Sequence, residues 1–297
     1  MPIPRKLFQT VPDRTAIDND YSANIAKLIR QNPGWEHRLF DNADMTAYLR
    51  DKLSPDDWRA VQDINPKYGV VLADLWRYAV IYHEGGVYLD IKSTINAPLD
   101  EILKPDFRFV ISQWRNKFGQ LYEGAGLYPE ISHVPGGEFQ QWFVISEEGH
   151  PFLKAVIAQV IANIRNYSPK RFGMGKEGVL RLSGPICYTS TIWPLRQHFP
   201  MTALDVVDLG FQYSIYEGTA DKDRHARQPS HYSNLREPNV LKDVYVDRGQ
   251  VITLGIGELL AREVLENTDV VLKLAVLSFV ATISFIVVLP ILLWGWR

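Results

Sequence analysis

The 297-residue chain has one cysteine, Cys187, and almost no imbalance of charge. A lone thiol closes no internal disulfide, so nothing points to folding in an oxidising compartment. With 32 basic and 34 acidic residues, the net charge of -2 lacks the positive field of a nucleic-acid binder. There is no cysteine–histidine spacing for zinc and no glycine–lysine phosphate loop. The opening MPIPRKLFQT has no apolar stretch that would serve as a secretion signal. What is there is ordinary globular material, 46% hydrophobic and 22% charged, enough for one large domain or two small ones.

One segment departs from that pattern. LAVLSFVATISFIVVLPILLW, Leu274 to Trp294, carries no charge. At about 21 residues, roughly 31 Å as a helix, it matches a bilayer core better than a core helix, which would normally keep a polar face. Lys273 precedes it, Trp294, Trp296 and Arg297 close it, and Pro290 sits near its end, where membrane helices tolerate proline. The expectation is a single-pass C-terminal membrane anchor over 271–297, an amphipathic connector over 246–270, and a main domain over 1–245 on the cytoplasmic side.

Along the main domain, strands and helices alternate. Lys6–Thr10 reads as a strand, Ser22–Gln31 as a helix, Asn32–Gly34 as a turn and Trp35–Phe40 as a second strand. Asp41 or Asn42 can cap a helix to Lys52. Tyr68–Glu84 has the broadest apolar face, stops at Gly85, and leads into a short buried strand, Val87–Ile91. Strands are expected at Phe107–Trp114, Gln141–Ser146 and Ala203–Leu209, and helices at Pro151–Tyr167 and Cys187–His198. Loops are expected at Leu121–Glu138, Ser168–Gly184 and His225–Pro238. This order predicts an α/β fold with a mainly parallel sheet.

The chemistry concentrates in ADLWRYAVIYHEGGVYLDIKS. Asp74 and Arg77, three apart on a helix, share a face. Asp90 ends the strand that follows, where ligands of open α/β sheets gather. An arginine and two carboxylates meeting there suit sugar hydroxyls and phosphate oxygens. The plainer reading is a surface Asp–Arg pair.

The set Asp74, Arg77, Gly85, Gly86, Tyr88, Asp90 and Lys92 resembles the DxD-bearing glycosyltransferases of family thirty-two, which include fungal mannosyltransferases. IPRKLFQT, NPGWEHRLFD, GHP at Gly149–Pro151, SGP at Ser183–Pro185 and HYSNL from His231 are similar to other segments of that family. The resemblance implies a GT-A type, Rossmann-like mixed sheet flanked by helices. It also implies retaining transfer from a UDP- or GDP-sugar to a glycan or glycolipid acceptor at a membrane. It places Asp74, Arg77 and Asp90 in catalysis, and Gln9, Thr10, Gly86, Tyr88, Lys92 and His231 around the donor. Mn²⁺ or Mg²⁺ would sit at Asp90 with His231, and Asp205 or Asp208 are further candidates.

Lys92 departs from the pattern, standing where the second acid would be. A protonated ammonium cannot ligate a cation. Lys92 either points away, or itself neutralises the diphosphate, or marks a non-catalytic relative that uses the fold as a scaffold. Trp114 and Trp142 read as core, Cys187 as structural, and Lys170, Arg171 and Lys176 as a solvated loop able to close over phosphates.

Overall fold

The structure is a computed structural model that describes residues 3–219 and 231–242. Its strands are β1 (Lys6–Thr10), β2 (Glu36–Phe40), β3 (Gly86–Leu89), β4 (Thr94–Ile95), β5 (Phe109–Ile111), β6 (Phe143–Ser146), β7 (Thr202–Ala203) and β8 (Phe211–Gln212). Its α-helices are α1 (Asn19–Gln31), α2 (Asn42–Lys52), α3 (Pro55–Val61), α4 (Gly69–Glu84), α5 (Leu99–Ile102), α6 (Pro151–Arg165), α7 (Pro169–Phe172), α8 (Gly175–Leu182) and α9 (Pro185–Leu195).

Six strands form one sheet in the order β2-β1-β3-β6-β5-β7, and β4 pairs with β8 apart from it. β1 is parallel to β2 and β3, whereas β6 runs antiparallel to both β3 and β5. β5 and β7 add a third parallel pair, so the sheet is mixed and parallel-rich, as expected, with β6 the strand that runs against its neighbours. Periodicity reads the strand but not the direction of its neighbour.

Alternation along each strand buries both faces. Leu7, Val87, Leu89, Val110, Phe143 and Ile145 join Leu28 of α1, Ile95, Leu99 and Phe211 in one core. Tyr88, one residue out of step, turns to the other face and meets Trp76 of α4 at 6.0 Å between ring centroids. Asp41 opens α2 with a reciprocal capping box with Asp44.

The glycine pair between α4 and β3 is a steric requirement. Gly85 and Gly86 have φ of 60° and 107°. A Cβ on Gly86 would stand 2.6 Å from the Lys6 carbonyl oxygen, and one on Gly85 2.7 Å from Pro4 Cδ. Only glycine lets β3 approach β1 this closely.

Several expectations are corrected. Ser168–Gly184 is not a loop: Ser168 caps α7, and α8 follows after Gly173, which has φ of 82°. The strand expected over Ala203–Leu209 stops at Ala203, and turns take over. Among the described residues no helix is long and apolar enough to cross a membrane, which corrects the expectation of a membrane-held chain. Leu274–Trp294, Gly257–Asn267 and the 246–270 connector lie outside the described residues.

Candidate active site

α4 carries Asp74 and Arg77, but neither lies on a solvent face. The helix is buried nearly all round from Asp74 to Ile81, so the reading of a surface pair does not hold. Asp74 is 1% exposed and Arg77 6%. Arg77 stands 3.3 Å from Asp74 Oδ1 and 3.3 Å from Asp90 Oδ1. Its guanidinium also donates to the Gln141 carbonyl at 2.8 Å and covers the Tyr88 ring at 4.5 Å. The Tyr88 hydroxyl donates to Asp90 Oδ1 at 2.7 Å. Asp74, Arg77, Tyr88 and Asp90 thus meet at the carboxyl end of β3, as the spacing predicts.

Burial pushes the Asp74 carboxyl up to about 6, opposed by Arg77 and by the Ser183 hydroxyl. Burial also works against the Arg77 charge, but Tyr88, Asp90 and Asp74 more than offset it and raise its pKa. The arrangement is one fixed cation between two acids, with Asp90 the more accessible at 21% side-chain exposure. It can meet a polar or phosphorylated ligand at the sheet edge without reorganising.

The later motifs contribute unevenly. The Ser183 hydroxyl donates to Asp74 Oδ2 at 2.8 Å, so SGP belongs to the acid cluster. In GHP, His150 caps α6 and reaches the Pro200 carbonyl; burial, the main cause, takes its pKa down to about 4. In HYSNL, His231 caps a 3₁₀ turn over Tyr232–Asn234, its Nδ1 accepting from the Ser233 amide. The residue that feels the acids is its neighbour. The Tyr232 hydroxyl is raised by burial, then by Tyr213, Asp74, Asp90 and Tyr128.

Lys92 turns to an aromatic partner. Its ammonium donates to the Tyr213 hydroxyl at 2.6 Å and lies 3.9 Å from that ring's centroid. Gln9 is fully buried, with Oε1 3.0 Å from His37 Nε2, and Thr10 donates to Met45 Sδ. Gly86 sits at the opposite end of β3 from Asp90. Asp205 and Asp208 both pair with Arg115. Of these, Gln9 touches the cluster's backbone, its side-chain amide donating to the Asp90 carbonyl at 3.5 Å, whereas Thr10, Gly86, Asp205 and Asp208 lie apart from it.

Among the described residues no three His, Cys, Asp or Glu side chains gather where a cation could sit. Among the described residues, Lys92 occupies the second acid position and His231 caps a turn, which leaves Asp90 as the carboxylate that this motif offers a cation. An open cavity of about 490 Å³, lined in part by Asn24, Lys27 and Gln212, abuts the turn after Asp90, where Asn24 donates to the Ser93 carbonyl.

Sequence reasoning missed Ser183, Gln141, Tyr213 and Tyr232. SGP and HYSNL drew attention to their segments, but Gln141 and Tyr213 had no motif to mark them.

The acid–arginine cluster lies within a stretch of the chain that is similar to known proteins. The family described as "Glycosyltransferase sugar-binding region containing DXD motif" matches residues 18–108. The chain is 25% identical to an initiation-specific alpha-1,6-mannosyltransferase of Candida albicans over 65% of this chain and 53% of that protein. It is 22% identical to the Schizosaccharomyces pombe protein of the same name, over 86% of this chain and 59% of that one. The chain therefore spans little more than half the length of these relatives. Among solved structures it overlaps the PaToxG glycosyltransferase with a TM-score of 0.47 at 15% identity, covering 66% of this chain and 71% of that one.

Proposed function

We propose that residues 1–245 form a catalytic domain that transfers a sugar from a nucleoside diphosphate donor to a glycan acceptor with retention of anomeric configuration. The observation that carries this reading is the buried Asp74–Arg77–Asp90 cluster at the carboxyl end of β3, inside the region the family matches. Arg77, kept charged by its acids, faces the departing diphosphate, and Asp74 orients it. Asp90, the accessible acid, meets donor hydroxyls. In the transfer, the bond from anomeric carbon to phosphate oxygen breaks as the bond to the acceptor oxygen forms on the same face. The acceptor proton passes to the leaving phosphate oxygen, so no separate protein base is required. A UDP- or GDP-linked hexose suits this reading, and the mannosyltransferase relatives make GDP-mannose the first donor to try.

The cation that the family resemblance implies would find one carboxylate, Asp90, and would lean on the substrate phosphates for its other ligands. Lys92 supplies the alternative, a point charge released from Tyr213 toward the diphosphate. Thermal stability of the protein against UDP- and GDP-sugars, each with Mn²⁺ and with EDTA, tests both, because a ligand of the folded state raises the midpoint. A shift that needs Mn²⁺ assigns a cation to Asp90. One that survives EDTA assigns the diphosphate to Lys92. Transfer that persists in Asp90→Asn would sink the reading, and a non-catalytic scaffold would take its place.

A further inference from the structure

The extended segment from Glu138 to Trp142 sends alternate side chains to opposite sides, up to the start of β6, where Trp142 and Phe143 both pack in the core. On one side, the Phe139 ring meets Trp193 at 6.2 Å between centroids, and Gln141 meets the Tyr78 hydroxyl. On the other side, Glu138 accepts from Trp114 Nε1 at 2.5 Å, and Trp142 stands 5.7 Å from the Tyr213 ring. Gln140 shares that second side by alternation. All three residues of this row are buried, at 6%, 3% and 5% exposure for Glu138, Gln140 and Trp142.

Each of the three keeps one buried polar atom with no hydrogen-bond partner: Glu138 Oε2, Gln140 Oε1 and Trp142 Nε1. Nine buried side-chain polar atoms among the described residues lack a partner, and these three fall on alternate positions of one short segment, a placement that a polar ligand or ordered water would answer. In order they offer acceptor, acceptor and donor, between aromatic rings that present apolar faces. Adjacent sugar hydroxyls, each both donor and acceptor, answer such a row.

The row is tied to the acid cluster. The Asp90 amide donates to the Trp142 carbonyl at 2.8 Å. Trp114 and Trp142 both meet the Tyr213 ring, at 5.2 and 5.7 Å, and the Tyr213 hydroxyl accepts from Lys92, two residues past Asp90. Gly126 lies against one end of the row: a Cβ there would meet Glu138 Cγ at 2.6 Å and Trp114 Cδ1 at 2.7 Å.

We propose that Glu138, Gln140 and Trp142 form a sugar-binding track at the edge of the site, with Glu138 accepting a hydrogen bond from a sugar hydroxyl. This rests on the reading of the site as one for nucleotide sugars. The hydroxyl belongs either to the donor hexose or to the acceptor.

Calorimetric titration of wild type, Glu138→Gln and Gln140→Met separates these. The probes are UDP, GDP, UDP-glucose, UDP-N-acetylglucosamine and GDP-mannose with Mn²⁺, and methyl α-D-mannopyranoside in the presence of GDP. Glu138→Gln should weaken a sugar-bearing probe at least tenfold while bare nucleotide binding stays within twofold. Gln140→Met should weaken the same probe several-fold. A loss confined to nucleotide sugars assigns the track to the donor, and one confined to the mannoside assigns it to the acceptor. If both variants keep wild-type affinity for every sugar-bearing probe, the track is wrong and the nucleotide-sugar site stands. If wild type binds none of the nucleotides or nucleotide sugars, the reading of the site itself fails, and the track with it.

Discussion

The two sides of the segment from Glu138 to Trp142 are built on different terms. Toward α4, Gln141 joins a cluster in which each charge faces an opposite one: Arg77 stands between Asp74 and Asp90, and Ser183 steadies Asp74. Toward Trp114, Glu138 has one oxygen held by an indole and no ion pair among the described residues. On the first side the charges are matched, although Asp74 Oδ1 and Arg77 Nε also lack a hydrogen-bond partner. The second is left open, at a cost in stability. The difference suggests where folding is the main concern and where ligand binding is.

The largest effect should come from breaking the matched side. Arg77→Ala leaves two buried carboxylates facing each other and should cost about 3–5 kcal/mol in denaturant unfolding. A loss below about 1 kcal/mol would mean that the cluster does not hold the sheet edge.

The open side should respond in the opposite sense. Burial, against opposition from Trp114 and Lys176, pushes the Glu138 carboxyl up to about 7 from its ordinary 4.5. Between those values the folded chain keeps a proton that the unfolded chain has lost. Its contribution to stability is therefore full below pH 4.5 and is lost as pH rises through about 7. The loss is on the order of 3 kcal/mol. Tm of Glu138→Gln should exceed wild type at pH 8 and approach it at pH 5, and a variant that tracks wild type at both would remove the contrast.

Smaller changes sharpen the comparison. Ser183→Ala leaves Asp74 Oδ2 unanswered and should cost about 1–3 kcal/mol, read from the urea midpoint. Tyr213→Phe keeps the ring over Lys92 but deletes the hydroxyl it donates to, and should cost roughly 0.5–1 kcal/mol. If Lys92 serves the diphosphate, the same change should alter donor affinity under EDTA more than it alters Tm.

The matched side was legible in the sequence because it is local. Asp74, Arg77, Tyr88 and Asp90 lie on one helix and the next strand, and the helical spacing with the glycine pair fixes their meeting. β1 was read to its exact bounds, Lys6–Thr10, because its strand is bounded by turn-forming residues. The burial of Asp74 and Arg77 was not legible, since it depends on α6, α8 and α9 closing over α4. Glu138 and Tyr232 were not legible either. They sit in aperiodic segments, and Glu138 becomes a site residue only because Gly126 lets its loop pack against it.

The segment from His231 to Lys242 has a consequence of another kind. Asn239 is buried, its amide donating to Tyr167 Oη at 2.9 Å, and the Tyr68 hydroxyl donates to the Glu237 carbonyl at 2.7 Å across 169 positions of sequence. A chain leaving the ribosome assembles Asp74, Arg77 and Asp90 early, from neighbours. Tyr232 arrives only after that long loop has been closed, with its entropy cost. The charged cluster is thus complete in sequence long before the tyrosine that shares its electrostatic surroundings. A nascent chain stalled before residue 231 would carry the acids without Tyr232, and its nucleotide binding could be measured on its own.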